Sequence, residues 1–222
     1  MPVLVKICGL GTPDALDAAL AAGADLVGFV FFPPSPRHLG LDVARMLGAR
    51  VKGRAGKVAL SVDADDATLA AVVEALQPDM LQLHGKESPA RVTELKRRHR
   101  RPVMKAIPVE TVADLAAVPA YADVADTIIF DARAPRAATR PGGLGKPFDW
   151  RLLRDVDRRI PFMLSGGLDA GNVAEAIAMT RAGGVDVSSG VERTPGVKDP
   201  DKIVAFIRTV RAATPQDITS PA

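Results

Sequence analysis

The stretch VLVKICG, residues 3–9, decides the fold class of this chain. The run is short and mostly apolar, and it stops at a glycine that is soon followed by Gly11 and Pro13. Such a run is typical of a strand that is buried on both faces of a parallel sheet and ends in a turn. Its last side chain, Cys8, is the only cysteine, and parallel α/β folds place their chemistry at strand carboxyl ends. On its own, a lone cysteine is more often a small buried side chain than a reactive group.

The rest of the chain repeats this pattern. Further strands are predicted at residues 25–32, 57–62, 79–83, 102–107, 126–130, 160–164 and 185–187. Helices are predicted at residues 12–22, 41–49, 65–77, 88–101, 111–118, 148–155, 172–179 and 200–212. Eight strand–helix units over residues 1–213 predict a single-domain (β/α)8 TIM barrel, and the polar residues 214–222 are predicted to form a disordered tail. An open doubly wound sheet is the alternative, but its glycine fingerprint fails because GLG at residues 9–11 lacks the third glycine.

Composition excludes several classes of protein. The 222 residues carry a formal net charge of +3, and aromatic residues make up only 4% of them, which argues against a β-sandwich or a surface that stacks nucleobases. One cysteine cannot form an internal disulfide, and no apolar run approaches the roughly 18 residues of a membrane span. The amino terminus shows no pattern of a secretory signal. We therefore expect a soluble, cytoplasmic, globular protein with no membrane partner.

One basic run, KRRHRR at residues 96–101, raises the alternative of a nucleic-acid site. It ends an amphipathic segment and precedes Pro102, so it lies in the last turn of a predicted helix. Cations there are stabilised by the helix dipole, by about 0.3–1 kcal/mol each when exposed. The run is therefore interpreted as a solvated helix end, and no nucleic-acid partner is expected.

In a barrel of this kind, all eight strand carboxyl ends meet on one face and bring distant residues together. The residues at the predicted strand ends are Cys8, Arg37 in a proline-rich loop, His84, Asp131, a glycine-rich loop at 142–146, Gly166-Gly167 and Ser188-Ser189-Gly190. The sequence therefore predicts a functional site on this face.

The loops after the seventh and eighth strands, with Gly166-Gly167 and Ser189-Gly190, are predicted to bind a phosphate through backbone N–H groups. Two tight turns without a ligand are the alternative. Asp169 opens the helix after the first of these loops, which argues against an anion at that helix start. A short extra helical turn predicted at residues 192–195 is another donor for the phosphate.

Cys8 and Asp131 end strands that lie well apart around the barrel, so they would flank a bound substrate. A thiolate and a carboxylic acid on opposite sides suit a proton abstraction coupled to a protonation, as in an isomerisation. The thiol must then lose its proton, helped by Lys6 or by N–H groups of the turn at residues 9–11. For Asp131 a loop cap is the alternative. Three scattered histidines show no metal-ligand spacing, so no metal is expected.

These residues resemble the phosphoribosylanthranilate isomerase family. The matching motifs are KICG at 6–9, GFVF at 28–31 with SPR at 35–37, LQLHG at 81–85, GGLGKPFDW at 142–150, LSGGL at 164–168 with Asn172-Val173, and DVSSGVE at 186–192 with Pro195-Gly196. They run in the order of the family from residue 4 to about 199. Leu144 and Pro147 depart from the residues that are more frequent in the family.

The resemblance implies the Amadori rearrangement of N-(5-phosphoribosyl)anthranilate to 1-(2-carboxyphenylamino)-1-deoxyribulose 5-phosphate, the third step from chorismate in L-tryptophan biosynthesis. It implies Asp131 as general acid, Cys8 as general base and Arg37 as the ligand of the anthranilate carboxylate. It further implies that no cofactor is needed, that the partner is a small phosphorylated sugar–anthranilate, and that the enzyme is a monomer or homodimer.

The resemblance also assigns the remaining site residues. Phosphate binding is expected at Gly143, Gly145, Gly166, Gly167, Ser189 and Gly190. Asp186 is expected to contact a ribose hydroxyl and His84 to line the site, and for both a structural role is the alternative.

Three other functions remain open from the sequence. A related isomerase acting on a histidine-pathway aminoaldose is expected to carry an aspartate in place of Cys8. A Schiff-base aldolase would need an interior lysine, for which Lys105, near the end of the fifth strand, is the candidate. A non-catalytic phosphate-binding barrel would tolerate the loss of Cys8 or Asp131.

Overall fold

The computed structural model of the protein describes residues 2–135, 138, 141–143, 145, 147–157 and 159–213. The predicted tail at residues 214–222 lies outside the described residues. Two positions of the glycine-rich loop, Leu144 and Lys146, also lie outside them.

Eight parallel strands form a closed barrel in chain order, which confirms the predicted (β/α)8 fold. The strands are β1 Leu4–Cys8, β2 Leu26–Phe31, β3 Gly56–Ser61, β4 Met80–Leu83, β5 Val103–Val109, β6 Thr127–Ala132, β7 Phe162–Leu164 and β8 Gly184–Val187. The barrel closes between β1 and β8, where Lys6 is in register with Asp186. On the other side of β1, Cys8 is in register with Gly28 of β2. The first strand therefore brings Lys6 and Cys8 to the junction of three strands.

Helices surround this barrel. They are α1 Pro13–Ala21, α2 Leu41–Val51, α3 Asp66–Leu76, α4 Pro89–His99, α5 Val118–Ala122, α6 Val173–Thr180 and α7 Pro200–Ala213. The starts of α1, α3 and α4 are capped by Thr12, Asp65 and Ser88, whose side chains each accept a backbone N–H of the first turn. The basic run lies at the end of α4, and two of its cations pair with carboxylates of neighbouring helices and loops. None of the described helices is long and apolar enough to cross a membrane.

Two predicted helices are not regular α-helices over the predicted residues. The segment at 111–118 is a 3-10 helix, Val112–Ala117, that leads into the short α5. Pro119 has no N–H to continue the hydrogen-bond ladder, which explains the break. The segment at 148–155 forms only the 3-10 helix Trp150–Leu153.

The helical turn predicted at residues 192–195 is wrong. Residues Glu192–Thr194 form a strand, β9, that pairs antiparallel with β10, Val197–Lys198. Pro195 and Gly196 connect the two strands, and Gly196 adopts φ +87°, which is a conformation suited to a tight turn. The helical turn lies earlier, as the 3-10 helix Ser189–Val191.

The barrel interior is apolar toward the amino ends of the strands and polar toward their carboxyl ends. Met104, Ala106, Ile129 and Met163 form an inner cluster, against which Leu26 and Met80 pack. Above this cluster the interior carries buried polar side chains, namely Lys6, Gln82, Asp131, Ser165 and Asp186. Buried charge is costly unless it is paired or used, so this layer marks the functional end of the barrel.

Candidate active site

An open cavity of about 650 Å³ lies at the carboxyl ends of the strands. The predicted site residues that line it are Cys8, Arg37, His84, Asp131, Gly143, Gly166, Gly167, Asp186 and Ser189. Two predicted residues do not line it. Gly145 lies beside the hydroxyl of Ser189, and Gly190 packs against the carbonyl of Leu168, where a side chain would not fit. Segments far apart in sequence thus meet at one cavity, as the barrel topology requires.

Cys8 is buried at the end of β1 and faces the backbone of β2. A Cβ atom added at Gly28 would lie 3.0 Å from Cys8 Sγ and 3.0 Å from Lys6 Nζ. Real side chains rarely approach so closely, so a glycine at position 28 leaves the space that both groups occupy. Gly28 belongs to the GFVF motif at residues 28–31 but was not predicted to be a site residue.

Burial is the strongest influence on the Cys8 thiol, and it raises the thiol pKa. The charge of Lys6 is the largest effect in the opposite direction, and Lys198 adds to it, but the pKa remains above its ordinary value. The N–H groups of Gly9 and Leu10 both donate to the carbonyl of Gly28. These two N–H groups therefore do not stabilise a thiolate, and the cations are the groups that favour it.

Lys6 is held in its charged form by an ion pair. Its Nζ donates to Asp186 Oδ1 at 2.8 Å, and the other carboxylate oxygen accepts from Ser165 Oγ at 3.1 Å. Burial disfavours the ammonium, but the charge of Asp186 and that of Cys8 raise the pKa of Lys6 above its usual range. A permanent cation therefore lies next to the thiol.

Asp131 lies at the end of β6 and is almost completely buried. Its Oδ1 accepts the N–H of Ala132 at 2.9 Å, and its Oδ2 lies 3.1 Å from His84 Nε2. The Nδ1 atom of His84 lies 3.2 Å from Nε2 of Gln82. With the amide of Gln82 as donor, His84 Nδ1 is the acceptor and its Nε2–H donates to Asp131. The structure thus gives Asp131 the imidazole of His84 as its side-chain partner.

Arg37 reaches the cavity from the loop after β2 and is buried. Its Nε and Nη2 atoms donate to the two carboxylate oxygens of Glu192 at 2.7 and 2.8 Å. Nη2 also donates to the carbonyl of Gly143 at 3.3 Å. A Cβ atom at Gly143 would lie 2.6 Å from Arg37 Nη1, and Gly143 adopts φ +70°, so glycine is required beside the guanidinium.

Near the predicted phosphate loops, Asp169 Oδ1 accepts the N–H groups of Gly171 and Asn172 at 2.7 and 3.1 Å. It thereby occupies N–H groups at the start of α6, which agrees with the expectation that this helix start is not the anion site. Among the described residues, no group of three or more His, Cys, Asp or Glu side chains is arranged to hold a metal ion.

The lysine proposed for an aldolase does not reach the cavity. Lys105 lies between Met104 and Ala106 in β5, and both of these belong to the inner cluster. Because side chains alternate between the two faces of a strand, the side chain of Lys105 points away from the barrel interior. Its Nζ donates to Glu87 Oε2 at 3.1 Å and to backbone carbonyls, including that of Gly85 at 2.8 Å. This arrangement argues against a Schiff base at Lys105.

The sequence analysis missed three polar partners of the site, namely Gln82, Glu192 and Lys198. The two-residue period of a strand places Gln82 on the same face as His84, which is a usable signal. Glu192 lies in a family motif, but its contact with Arg37 joins two loops that are 155 residues apart in the chain. Lys198 carries no sequence signal of its own.

The family model for N-(5'-phosphoribosyl)anthranilate isomerase matches residues 5–209. An N-(5'-phosphoribosyl)anthranilate isomerase of Nitrobacter hamburgensis is 67% identical over 96% of this chain and 95% of its own. One from Bradyrhizobium diazoefficiens is 66% identical with the same coverage of both chains.

Solved structures agree. Phosphoribosyl anthranilate isomerase from Thermotoga maritima superposes with a TM-score of 0.85 and 35% identity, covering 95% of this chain and 99% of that one. A phosphoribosyl anthranilate isomerase in complex with reduced 1-(o-carboxyphenylamino)-1-deoxyribulose 5-phosphate gives a TM-score of 0.82 and 33% identity, with the same coverage of both chains. So does a structure described as monomers of the dimeric Thermotoga maritima enzyme. The fold, the cavity and these relatives together show that the chain belongs to the N-(5'-phosphoribosyl)anthranilate isomerase family.

Proposed function

We propose that the cavity between Cys8 and Asp131 isomerises N-(5-phosphoribosyl)anthranilate to 1-(2-carboxyphenylamino)-1-deoxyribulose 5-phosphate by general acid–base catalysis. Membership of the family makes the chain an isomerase of tryptophan biosynthesis. The observation that carries the assignment of residues is that a buried thiol and a buried carboxyl border one cavity, at the ends of β1 and β6.

Asp131 acts first, as the general acid. In its protonated form it donates a proton to the furanose ring oxygen, and the bond between C1′ and that oxygen breaks. The lone pair of the anthranilate nitrogen, which keeps its hydrogen, forms the C1′=N double bond of a protonated imine. His84 Nε2, 3.1 Å from Asp131 Oδ2, supports this step by fixing the carboxyl group in the cavity.

Cys8 then acts as the general base. Its thiolate takes the proton from C2′, the C–H electrons form a C1′=C2′ double bond, and the imine electrons return to nitrogen. The resulting enolamine tautomerises to the 2′-ketone, with a proton added at C1′. The ammonium of Lys6 balances the negative charge of the thiolate before this transfer.

The substrate's three polar parts have matching groups around the cavity. Arg37 binds the anthranilate carboxylate, because a guanidinium is suited to a planar anion. The loops with Gly143, Gly145, Gly166, Gly167, Ser189 and Gly190 bind the phosphate, and Asp186 contacts a ribose hydroxyl. The complex of a relative with a reduced product, which contains the carboxyphenyl and phosphate groups, supports a ligand of this class.

Two broader assignments accompany this proposal. The enzyme is a monomer or a homodimer, as both forms are named among its structural relatives, and sedimentation of the purified chain distinguishes them. It acts in the cytoplasm, and the free thiol of Cys8 agrees with a reducing compartment.

A fluorescence assay for consumption of phosphoribosylanthranilate tests the function. We expect the wild type to turn this substrate over and the histidine-pathway aminoaldose to be a poor substrate. Cys8→Ser should reduce kcat by about 10²–10⁴-fold, the range of a lost general base. Calorimetry with the reduced product should show that this variant still binds it. A Cys8→Ser enzyme with near-normal kcat would disprove the assignment of the base.

A further inference from the structure

Glu192 is a buried carboxylate that belongs to β9, outside the barrel, and it binds two cations. Its Oε1 accepts from Arg37 Nε at 2.7 Å and from Lys198 Nζ at 2.8 Å, and its Oε2 accepts from Arg37 Nη2 at 2.8 Å. Burial alone would raise the pKa of Glu192, but the two cations outweigh it and lower the pKa. The carboxylate is therefore ionised and fully engaged.

This contact determines which edge of the Arg37 guanidinium is free. A guanidinium has five N–H groups in a fixed plane, and Glu192 takes one from Nε and one from Nη2. The carbonyl of Gly143 takes the second N–H of Nη2. Within the part of the chain that the structure describes, no acceptor contacts Nη1. Arg37 therefore keeps two N–H donors on a single nitrogen.

The backbone that carries Glu192 is fixed against the Arg37 loop. Lys202 Nζ donates to the carbonyl of Glu192 at 2.8 Å. At the tip of the hairpin, a Cβ on Gly196 would lie 2.6 Å from the carbonyl oxygen of Pro36, next to Arg37. Lys198 also donates to the carbonyl of Ser188 at 2.8 Å, which ties the hairpin to the end of β8. The hairpin and the loop thus form one unit.

The charges of this unit favour an anion. Arg37 carries a permanent positive charge and Glu192 a negative one, while burial lowers the pKa of Lys198 against the opposing charge of Glu192. With Lys198 protonated, the cluster has a net positive charge beside the cavity. The donors of Lys198 are taken by Glu192 and by Ser188, whose hydroxyl lies 3.2 Å from Nζ. The Nη1 group of Arg37 is then the donor that remains for an anionic group of the substrate.

We propose that Glu192 is a positioning residue, which fixes Arg37 with Nη1 toward the cavity and so makes the enzyme selective for arylamines that carry a carboxylate. The proposal rests on the role proposed above for Arg37. Without Glu192, Arg37 would keep its charge but lose its fixed orientation, and only ligands with the carboxylate would be affected.

Calorimetric titration with two stable ligands tests this. One is the reduced product, and the other is the same molecule without the aryl carboxylate. For Glu192→Gln we expect about tenfold weaker binding of the carboxylated ligand, equal to about 1.4 kcal/mol. Binding of the ligand without the carboxylate should change less than twofold. Glu192→Asp, which keeps the charge, should restore part of the selectivity and provides a folded variant if the glutamine variant is unstable.

Arg37→Met separates failure of this inference from failure of the proposed function. If Arg37→Met binds both ligands as the wild type does, the role of Arg37 in the proposed function is wrong. If Arg37→Met loses the carboxylated ligand but both Glu192 variants keep it, only the inference on Glu192 is overturned. Equal losses for both ligands in both Glu192 variants would also overturn it, because they would indicate a general disturbance of the site. When Glu192→Gln is added to Arg37→Met, the double variant should show no further loss of selectivity.

Discussion

The two sides of the cavity, around Cys8 and around Asp131, are built from different kinds of neighbours. Cys8 lies among charges, with Lys6 beside it and Asp186 and Lys198 close enough to affect its pKa. Asp131 contacts a backbone N–H and His84, which is in turn contacted by the uncharged Gln82. A base must lose its proton and an acid must keep it until needed. The proposed base therefore lies among charged side chains, whereas the proposed acid has a backbone N–H and an imidazole as its partners.

The largest effect is expected from removing the acid. Asp131→Asn keeps the size and the contact with Ala132 but cannot deliver a proton, so kcat should fall by about 10²–10⁴-fold. Single-turnover fluorescence measures this, and calorimetry with the reduced product checks that binding is retained. If kcat falls less than about threefold, the two sides of the cavity do not divide the chemistry as proposed.

A second test concerns the charge beside the base. Lys6→Met removes the strongest effect that lowers the thiol pKa, so the rise of kcat/KM with pH should move to higher pH. A higher thiol pKa leaves a smaller thiolate fraction at pH 7, so kcat/KM at that pH should be lower in Lys6→Met than in the wild type. Asp186→Asn removes a charge that raises the thiol pKa, so it should move the rise to lower pH.

The same test needs a control for folding, because each single variant leaves a buried charge without its partner. Such a charge costs about 3–5 kcal/mol. The double variant Lys6→Met with Asp186→Asn removes both charges, and thermal unfolding reports its stability. In this double variant, kcat/KM should still rise at a higher pH than in the wild type, because Lys6 has a stronger effect on the Cys8 pKa than Asp186. Identical pH profiles for all these variants would contradict a role of charge at Cys8.

The smallest effect is expected on the side of Asp131, where Gln82 contacts His84. With the amide as donor, this contact selects the ring tautomer that presents Nε2–H to Asp131, so Gln82→Met should leave fewer molecules in that tautomer. We expect kcat to fall by about threefold with little change in KM. Leu83→Met, on the opposite face of β4, is the matched control. A change in KM alone, with kcat unchanged, would refute the positioning of Asp131 through His84.

Much of this arrangement could be predicted from the sequence, because it depends on local pattern. Alternating strands and helices predict a barrel, and the barrel then brings Cys8, His84 and Asp131 together without any knowledge of contacts. The hairpin could not be predicted, because strands of three and two residues carry too little pattern. Glu192 and Lys198 owe their roles to it. Their contacts depend on how two loops pack against each other, which no periodicity in the chain encodes.

The ion pair of Lys6 and Asp186 joins the first strand of the barrel to the last, across 180 positions of the chain. Cys8, the proposed base, is therefore synthesised well before the carboxylate that pairs with its neighbour Lys6. A growing chain on the ribosome contains the thiol long before it contains Asp186. Assembly of the charged groups around Cys8 thus coincides with closure of the barrel, and a chain interrupted before β8 would carry Cys8 and Lys6 without the carboxylate that pairs with Lys6.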